Sequence, residues 1–343
     1  MKVAPSLVCF IFAATLQHGS AVDRLKLSSG HEIPAVGLGT ASIKLTEMDE
    51  AIANALEVGY RHIDTAFLYK NEAAIGAALK KWFQKGGKRE DLFITSKLPQ
   101  YGNQPDRVER YLKKSLSDLG LDYVDMYLIH APFGTKESAN FIEAEDDGNI
   151  FESVDHVALW KKMEEQVTAG RAKSIGLSNF NQSQILNIYN NAEIKPSNLQ
   201  VESHGYFQQN ELRDFCKKYN IVMTAYSPLG SPSARSKIHQ GTPKDLQSLT
   251  DLPEVKDLAQ KYNKTAGQIL LRHSVQAGLV VIPKSSNKDR QRENIEVFDF
   301  SLSEEDFEKI KGLDKGEKGR VFDFLKFYKG LDKNPQYPFP IVA

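Results

Sequence analysis

The chain has 343 residues, of which 41% are hydrophobic and 26% are charged, the composition of a globular protein with enough apolar side chains for one large core. Its 44 basic residues balance its 44 acidic residues, so the overall charge favours neither nucleic acid nor an anionic membrane as a partner. The sequence contains no His-Glu-x-x-His, no paired cysteines and no Gly-x-Ser-x-Gly, so we expect neither a metal site nor an acyl-enzyme nucleophile.

The first 21 residues have the pattern of a secretory signal peptide. Lys2 precedes the apolar stretch Leu7–Leu16, and small residues follow up to Ala21. This order of a positive, an apolar and a small-residue region predicts cleavage after Ala21 or one residue earlier, a mature chain from about Val22, and secretion. A cytosolic protein with a buried first helix is the second interpretation, because the stretch is too short to span a bilayer and has no polar face.

The cysteines and two glycosylation sequons bear on the same question. Cys9 belongs to the predicted signal peptide, and Cys216 alone remains in the mature chain, so we expect no internal disulfide. The triplets Asn181-Gln-Ser and Asn263-Lys-Thr are acceptors for N-linked glycans if the chain enters the secretory pathway.

Beyond the leader, strand and helix patterns alternate along the chain. Leu25–Pro34 alternates around a Ser-Ser-Gly turn and predicts a β-hairpin. The predicted strands that follow are Val36–Thr40, His62–Thr65, Leu92–Lys97, Val124–His130, Ser174–Ser178, Leu199–Glu202, Val222–Tyr226 and Val280–Ile282. The predicted helices are Glu47–Val58, Glu72–Trp82, Asp106–Leu119, Val154–Ala169, Gln182–Asn190, Glu211–Tyr219, Pro253–Gln276 and Lys288–Val297.

This alternation predicts an α/β protein whose residues 22–343 form one (β/α)8 TIM barrel. A doubly wound sheet is the alternative, and it requires a Gly-x-Gly-x-x-Gly turn after its first strand. The turn here, Gly37-Leu-Gly-Thr-Ala-Ser, lacks the third glycine. The aromatic tail from Glu317 to Ala343 predicts an irregular C-terminal loop over the barrel mouth.

Four polar residues lie at or just beyond the ends of predicted strands, namely Asp64, Tyr69, Lys97 and His130. In a parallel barrel such positions converge on one mouth. A tyrosine can protonate the alkoxide formed from a carbonyl if an ammonium lowers its pKa, a carboxylate keeps the ammonium charged, and an imidazole polarises the carbonyl oxygen. Each residue alone is explained as well by packing, solvation or a helix cap, but their joint position favours a catalytic site.

The chain resembles the aldo-keto reductase family from about Leu25 to its C-terminus. The motifs that carry the resemblance are Gly59-Tyr-Arg-His-Ile-Asp-Thr-Ala66, Tyr69-Lys-Asn-Glu72, Gly176-Leu-Ser-Asn-Phe180, Tyr226-Ser-Pro-Leu-Gly230 and Ile282-Pro-Lys-Ser285. The resemblance implies a monomeric carbonyl reductase in which Tyr69 is the proton donor, Lys97 its pKa partner, Asp64 the support of Lys97, and His130 the group that orients the substrate.

The same resemblance implies NADPH extended across the mouth. It assigns the nicotinamide carboxamide to Ser178, Asn179 and Gln200, the stacked nicotinamide ring to Tyr226, and the pyrophosphate loop to Ser227, Leu229 and Ser231. Thr40 and Asp64 complete this part of the predicted cofactor set.

The choice of NADPH over NADH rests on charge after the last strand. Lys284, Ser285, Arg290 and Asn294 lie close together in the sequence around a helix start, where an anion is favoured. In the family these positions hold the adenosine 2′-phosphate. A solvated basic surface is the alternative, because Lys288 and Arg292 lie nearby.

Departures from the family pattern concern the substrate pocket. Ala41 and Ala131 occupy positions where many members have tryptophan, which predicts a wider pocket unless the C-terminal aromatics fill it; Ser203 and Gly205 are also atypical. We expect a bulky ketone or aldehyde such as a 3-oxo steroid, and the leader resembles that of secreted insect members that reduce 3-oxo ecdysteroids. The alternatives are a general aldehyde or xenobiotic carbonyl reductase, and a non-catalytic NADPH-binding barrel, which the presence of Tyr69 and Lys97 disfavours.

Overall fold

The computed structural model describes residues 23–137, 150–231 and 246–340; the predicted signal peptide lies outside these residues. The strands are β1 Arg24–Lys26, β2 Glu32–Pro34, β3 Leu38–Gly39, β4 His62–Asp64, β5 Phe93–Leu98, β6 Val124–Ile129, β7 Gly134–Thr135, β8 Phe151–Glu152, β9 Ala172–Ser178, β10 Asn198–Glu202, β11 Val222–Tyr226 and β12 Val280–Val281. The helices are α1 Leu45–Glu57, α2 Glu72–Gln84, α3 Val108–Leu119, α4 His156–Thr168, α5 Gln182–Asn191, α6 Asn210–Lys218, α7 Pro253–Tyr262, α8 Ala266–Gln276, α9 Lys288–Ile295 and α10 Glu304–Lys311.

The eight strands predicted after the hairpin form one parallel sheet. Its strand order is β12-β11-β10-β9-β6-β5-β4-β3. Parallel bridges from Val36 to Val281 and from Gly39 to Lys284 join the two outermost strands, and the Gly37 N–H donates to the Val281 carbonyl over 2.9 Å. The sheet therefore closes on itself, and the predicted (β/α)8 barrel is confirmed.

The two ends of the barrel are covered by different parts of the chain. The hairpin β1–β2 closes the end where the strands begin, because its Leu27 and Ile33 pack against Phe93, the first residue of β5. The strands end at the opposite face, the mouth, where the segment after α10 lies across the opening. Catalytic side chains in such barrels belong at the mouth.

The helices bury one face against the strands. In α1 the buried residues are Met48, Ala51, Ile52, Ala55 and Leu56, a spacing mostly of three and four that places them on one side of the helix. The core lies between this ring of helices and the outward-facing strand residues, and its members include Trp160 of α4 and Ile175 of β9. This packing fixes the strand ends that carry the candidate site.

Three local features differ from the sequence prediction. The expected helix Pro253–Gln276 is two helices, because Asn263 takes a left-handed conformation (φ +52°) and Thr265 caps α8 in a reciprocal bond with Gln268. Helix α10 was not predicted, although Ser303 caps it and three acidic residues open it. The short hairpin β7–β8 was not predicted either, because its strands have two residues each.

The C-terminal segment crosses the mouth in three short 3-10 turns. It is fastened at Glu202 of β10, whose carboxylate accepts the N–H groups of Val321 at 2.7 Å and Phe322 at 2.8 Å. Further along, the rings of Phe324 and Tyr328 lie edge-on to Phe133, with centroids 5.2 and 5.0 Å away. The predicted loop over the mouth is confirmed, up to the last described residue, Pro340.

No helix among residues 23–137, 150–231 and 246–340 combines the length and the hydropathy that a bilayer-spanning helix needs.

Candidate active site

The four residues predicted to act together meet at the mouth. The Lys97 ammonium lies 2.5 Å from Asp64 Oδ1, 2.8 Å from the Thr65 carbonyl oxygen and 3.5 Å from the Tyr69 hydroxyl. The rings of Tyr69 and His130 are perpendicular, with centroids 5.6 Å apart. Lys97 is 0% exposed, so its contacts with Asp64, Thr65 and Tyr69 are not screened by water.

Local structure explains how Tyr69 reaches this group. The chain leaves β4 and makes one 3-10 turn from Phe67 to Tyr69, which ends on Lys70 in a left-handed conformation. Asn71 fixes the turn by donating to the Thr40 carbonyl and accepting from the Thr65 hydroxyl. The Tyr69 phenol is thus presented at the barrel mouth, partly exposed.

The protonation states favour a phenol beside an ammonium. Burial raises the pKa of Tyr69, and the opposing effect of Lys97 is smaller. Burial disfavours charge on Lys97, but Asp64 and Tyr69 outweigh burial and raise its pKa. Lys97 lowers the pKa of Tyr69, as the sequence predicts, but burial raises that pKa by more. Tyr69 is thus held as a neutral phenol, with the Lys97 ammonium 3.5 Å from its oxygen.

His130 is suited to hydrogen bonding rather than to carrying charge. Its pKa lies well below the usual value because burial and the nearby Lys97 both disfavour the imidazolium. Its Nδ1 is buried without a hydrogen-bond partner in the described chain. A neutral imidazole can still donate one hydrogen bond, which is what orienting a carbonyl oxygen requires.

The residues assigned to the carboxamide form one connected group on β9 and β10. Asn179 donates to Ser178 Oγ at 3.0 Å and to the His130 carbonyl at 2.9 Å, and its Oδ1 accepts the Tyr226 hydroxyl at 3.0 Å. Gln200 donates to Asp64 Oδ2 over 2.7 Å. The group is therefore connected directly to the Asp64–Lys97 pair. Its side-chain amides, Asn179 and Gln200, and the Ser178 hydroxyl are groups that can form hydrogen bonds to a carboxamide.

The other predicted cofactor residues lie around the same mouth. Thr40 is buried and donates to the Asp64 carbonyl at 2.9 Å. Tyr226, at the end of β11, is partly exposed. Ser227 and Ser231 both have positive φ values, +53° and +44°, and Leu229 lies between them. Residues 232–245, which follow Ser231, lie outside the described residues.

The predicted phosphate site contains two unpaired cations. Lys284 and Arg290 are exposed and make no direct ion pair in the described chain, although Lys284 is near enough to Glu47 to help lower the pKa of that carboxyl. By contrast, Lys288 pairs with Glu57 at 2.7 Å and Arg292 lies 3.8 Å from Asp289. Buried Ser285 and Asn294 adjoin them. The four cations are thus not one equivalent solvated surface, and the residues present fit a 2′-phosphate.

The alanine at 131 does not leave an empty pocket. Ala131 is 0% exposed and packs in one cluster with Phe133, Tyr328 and Leu331. The C-terminal segment therefore fills the space expected to widen the pocket, and an indole at this position would displace Tyr328. Ala41, beside Thr40, is partly exposed.

Sequence reasoning missed two residues that organise the site. Asn71 lies in the motif Tyr69-Lys-Asn-Glu72, but the sequence pattern predicted no role for it. Glu202 directly precedes the atypical Ser203, and its 0% exposed side chain also accepts from His204 Nε2 at 2.9 Å. The sequence feature that could have identified Glu202 is an acidic residue at the end of a buried strand. Its hydrogen-bond partners, Val321 and Phe322, lie too far along the chain to be inferred from the sequence.

No cluster of three metal-ligating side chains occurs within the described ranges.

Comparisons of the sequence and of the fold with known proteins all find similarity to aldo-keto reductases. The sequence profile of the aldo/keto reductase family matches residues 35–315. Similar curated proteins include aldo-keto reductase family 1 member A1 of Gallus gallus, 45% identical over 92% of this chain and 97% of that protein, and prostaglandin F synthase 1 of Bos taurus, 41% identical over 92% and 97%. Aldo-keto reductase family 1 member C1 of Homo sapiens is 41% identical over the same shares. The solved aldose reductase from Schistosoma japonicum superposes with a TM-score of 0.83 at 38% identity, covering 92% of this chain and 98% of that one.

Proposed function

The chain belongs to the aldo/keto reductase family of oxidoreductases, and on this premise we propose that it reduces a bulky ketone or aldehyde to an alcohol with NADPH. The observation that carries the proposal is the contact of the buried Lys97 ammonium with both Asp64 and Tyr69. A buried lysine with a purely structural role is satisfied by Asp64 and the Thr65 carbonyl and does not need a phenol beside it.

Each residue of the candidate site has a separate role in the proposed reaction. NADPH, when bound, supplies the hydride. His130 donates a hydrogen bond to the carbonyl oxygen and polarises it. Tyr69 gives its proton to the same oxygen as negative charge develops there. The Lys97 ammonium, held by Asp64 at 2.5 Å, stabilises the resulting phenolate.

The preference for NADPH is supported by Lys284 and Arg290. Both are exposed and make no direct ion pair in the described chain, so a 2′-phosphate can bind two cations without first breaking an ion pair. NADH lacks this phosphate and gains nothing from them.

For the substrate we propose a 3-oxo steroid, with ecdysteroids as the first to test. Ala41 at the mouth supports a bulky substrate, and among the relatives prostaglandin F synthase 1 is named for a bulky lipid product. A general aldehyde or xenobiotic carbonyl reductase is the second candidate. It is favoured by the filled space at Ala131 and by the likeness to an aldose reductase.

We also propose that residues 1–21 direct the protein into the secretory pathway and are then removed. The order of Lys2, an apolar stretch and small residues supports this proposal. N-terminal sequencing of the protein released by eukaryotic cells tests it. A start near Val22 is the expected result, and an intracellular protein that keeps Met1 or Lys2 would contradict it.

The function is tested by NADPH oxidation with the mature chain. The substrates are a 3-dehydroecdysteroid, an aldose and a small aldehyde, with Tyr69→Phe as the blank. Turnover highest on the steroid supports the proposal, whereas turnover on the small aldehyde alone favours the general reductase. Bound NADPH without any Tyr69-dependent turnover would favour the non-catalytic barrel.

A further inference from the structure

The two glycosylation sequons lie in very different surroundings. Asn263 is exposed and ends α7 in a left-handed turn with φ +52°. Its side chain makes no hydrogen bond in the part of the chain that the structure describes. The hydroxyl of Thr265, the third residue of the sequon, accepts the Gln268 N–H at 3.3 Å and leaves the asparagine amide free.

Asn181 has no such freedom. Its Oδ1 caps α5 by accepting the Gln184 N–H at 3.0 Å and also accepts the Ser183 hydroxyl at 2.7 Å. Its Nδ2 donates to the Pro338 carbonyl over 3.3 Å. The side chain is half-buried and lines a cavity of about 500 Å³ together with the C-terminal residues Pro338 and Phe339.

The chemistry of glycan transfer acts on the amide that distinguishes these sites. The asparagine Nδ2 attacks the anomeric carbon of a lipid-pyrophosphate-linked oligosaccharide. A C–N bond forms, the C–O bond to the lipid pyrophosphate breaks, and the amide gives up one proton. On Asn263 the new sugar projects from an exposed turn. On Asn181 it must share the space of the C-terminal segment that covers the mouth.

We propose that Asn263 is the N-glycosylation site of this chain and that Asn181 carries no glycan in the folded protein. Glycosylation of the natural protein depends on the proposed secretion, whereas the choice between the two asparagines depends on their surroundings. It is independent of the proposed reaction.

The experiment expresses the full chain in eukaryotic secretory cells, once with its own leader and once with residues 1–21 replaced by a leader of established function. The released protein is treated with peptide N-glycosidase in heavy-oxygen water, which marks each formerly glycosylated asparagine. Asn263→Gly removes the acceptor while suiting the left-handed turn, and Asn181→Asp removes the other acceptor while keeping the capping oxygen of α5.

The expected result is label at Asn263 alone, complete loss of the glycan in Asn263→Gly, and an unchanged glycan in Asn181→Asp. Label at Asn181, or no glycan on protein released with the replacement leader, would overturn the assignment. If only the replacement leader gives released protein, and that protein carries its glycan at Asn263, the secretion proposal fails while the site assignment stands.

Discussion

At the scale of single residues, the candidate site depends on one ammonium. Lys97 is completely buried, yet its charge is satisfied by Asp64 and by the Thr65 carbonyl. Transferring a charged group from water into the protein interior costs free energy unless such partners are present. The same ammonium lies 3.5 Å from the Tyr69 hydroxyl, so the partners that make its burial tolerable also hold it beside the phenol proposed as the proton donor.

Replacing Tyr69 with phenylalanine separates binding from chemistry. Because only the hydroxyl is lost, we expect turnover to fall on the order of 10² to 10⁴-fold, the usual contribution of a general acid. The dissociation constant of NADPH, measured by fluorescence titration, stays nearly unchanged. Tyr189→Phe is the matched control, since it removes a hydroxyl from α5 whose ring packs on Tyr219. Retained turnover in Tyr69→Phe would remove Tyr69 as the acid.

The unpaired cations after β12 predict the cofactor preference. In Lys284→Ala with Arg290→Ala, two charge-assisted hydrogen bonds to the 2′-phosphate are lost, so NADPH should bind on the order of 100-fold more weakly while NADH binding hardly changes. Isothermal titration with both cofactors measures this. The control is Lys288→Ala with Arg292→Ala, because these cations have carboxylate partners. An equal loss for NADPH and NADH would contradict the phosphate assignment.

At the scale of elements, the C-terminal segment has little regular structure, so its position over the mouth depends on its contacts with the barrel. Glu202 at the end of β10 accepts two backbone N–H groups from this segment, and Phe322 then lies 5.9 Å from the ring of Tyr226. Burial alone would raise the pKa of Glu202, but His204, Arg320 and the Phe322 N–H outweigh burial and hold that pKa below its usual value. The carboxylate thus ties the cover of the mouth to the barrel.

Glu202→Gln should lower the free energy of unfolding by about 1.5–3 kcal/mol at pH 7, because an amide cannot accept from all three donors. A lowered pKa in the folded state stabilises the protein above the unfolded-state pKa of about 4.3 and loses that effect as the pH falls through the folded-state value. The contribution of the carboxylate, measured as the difference between wild type and variant, should therefore be present above about pH 4.3 and shrink as the pH falls below that value.

Urea unfolding across this pH range tests the role of Glu202, with exposed Glu254→Gln as the control. Michaelis constants supply a second measurement. If Glu202 positions the cover, the constant for a bulky ketone should change more than that for NADPH. A difference in stability that does not depend on pH would contradict the role assigned to its charge.

At the scale of the whole molecule, the barrel closes where β3 meets β12. The Gly39 N–H donates to the Pro283 carbonyl at 3.2 Å, and a Cβ at Gly39 would lie only 2.6 Å from the Ile282 carbonyl oxygen. Closure needs this close approach of two backbones, which only glycine permits without a shift of the strands.

Gly39→Ala should lower the free energy of unfolding by about 1–3 kcal/mol, the usual cost of overpacking a buried position. Gly267→Ala is the matched control. Gly267 lies in α8, where the nearest atom to an added Cβ is 3.8 Å away, so alanine should stabilise the protein by about 0.5–1 kcal/mol. Equilibrium unfolding of both variants measures the two effects, and a neutral Gly39→Ala would show that closure does not depend on this contact.

The sequence by itself determined the barrel and the set of residues at its mouth. Alternation of strand and helix patterns is local information, and strand ends such as Lys97 must converge once the strands are parallel. It also predicted seven of the helices closely, but it joined α7 to α8, because the left-handed turn at Asn263 leaves the apolar pattern of Pro253–Gln276 intact.

Only the tertiary structure decided which groups are partnered and which spaces are filled. It showed that burial raises the pKa of Tyr69 by more than Lys97 lowers it. It also showed that Lys284 and Arg290 lack the direct ion-pair partners that Lys288 and Arg292 have. Tyr328 was found to pack beside Ala131. The physical reason is that hydrogen bonding, desolvation and packing depend on atoms far apart in the chain, as when Glu202 binds Val321. A periodic pattern reports which face of an element is buried, but it does not report what lies against that face.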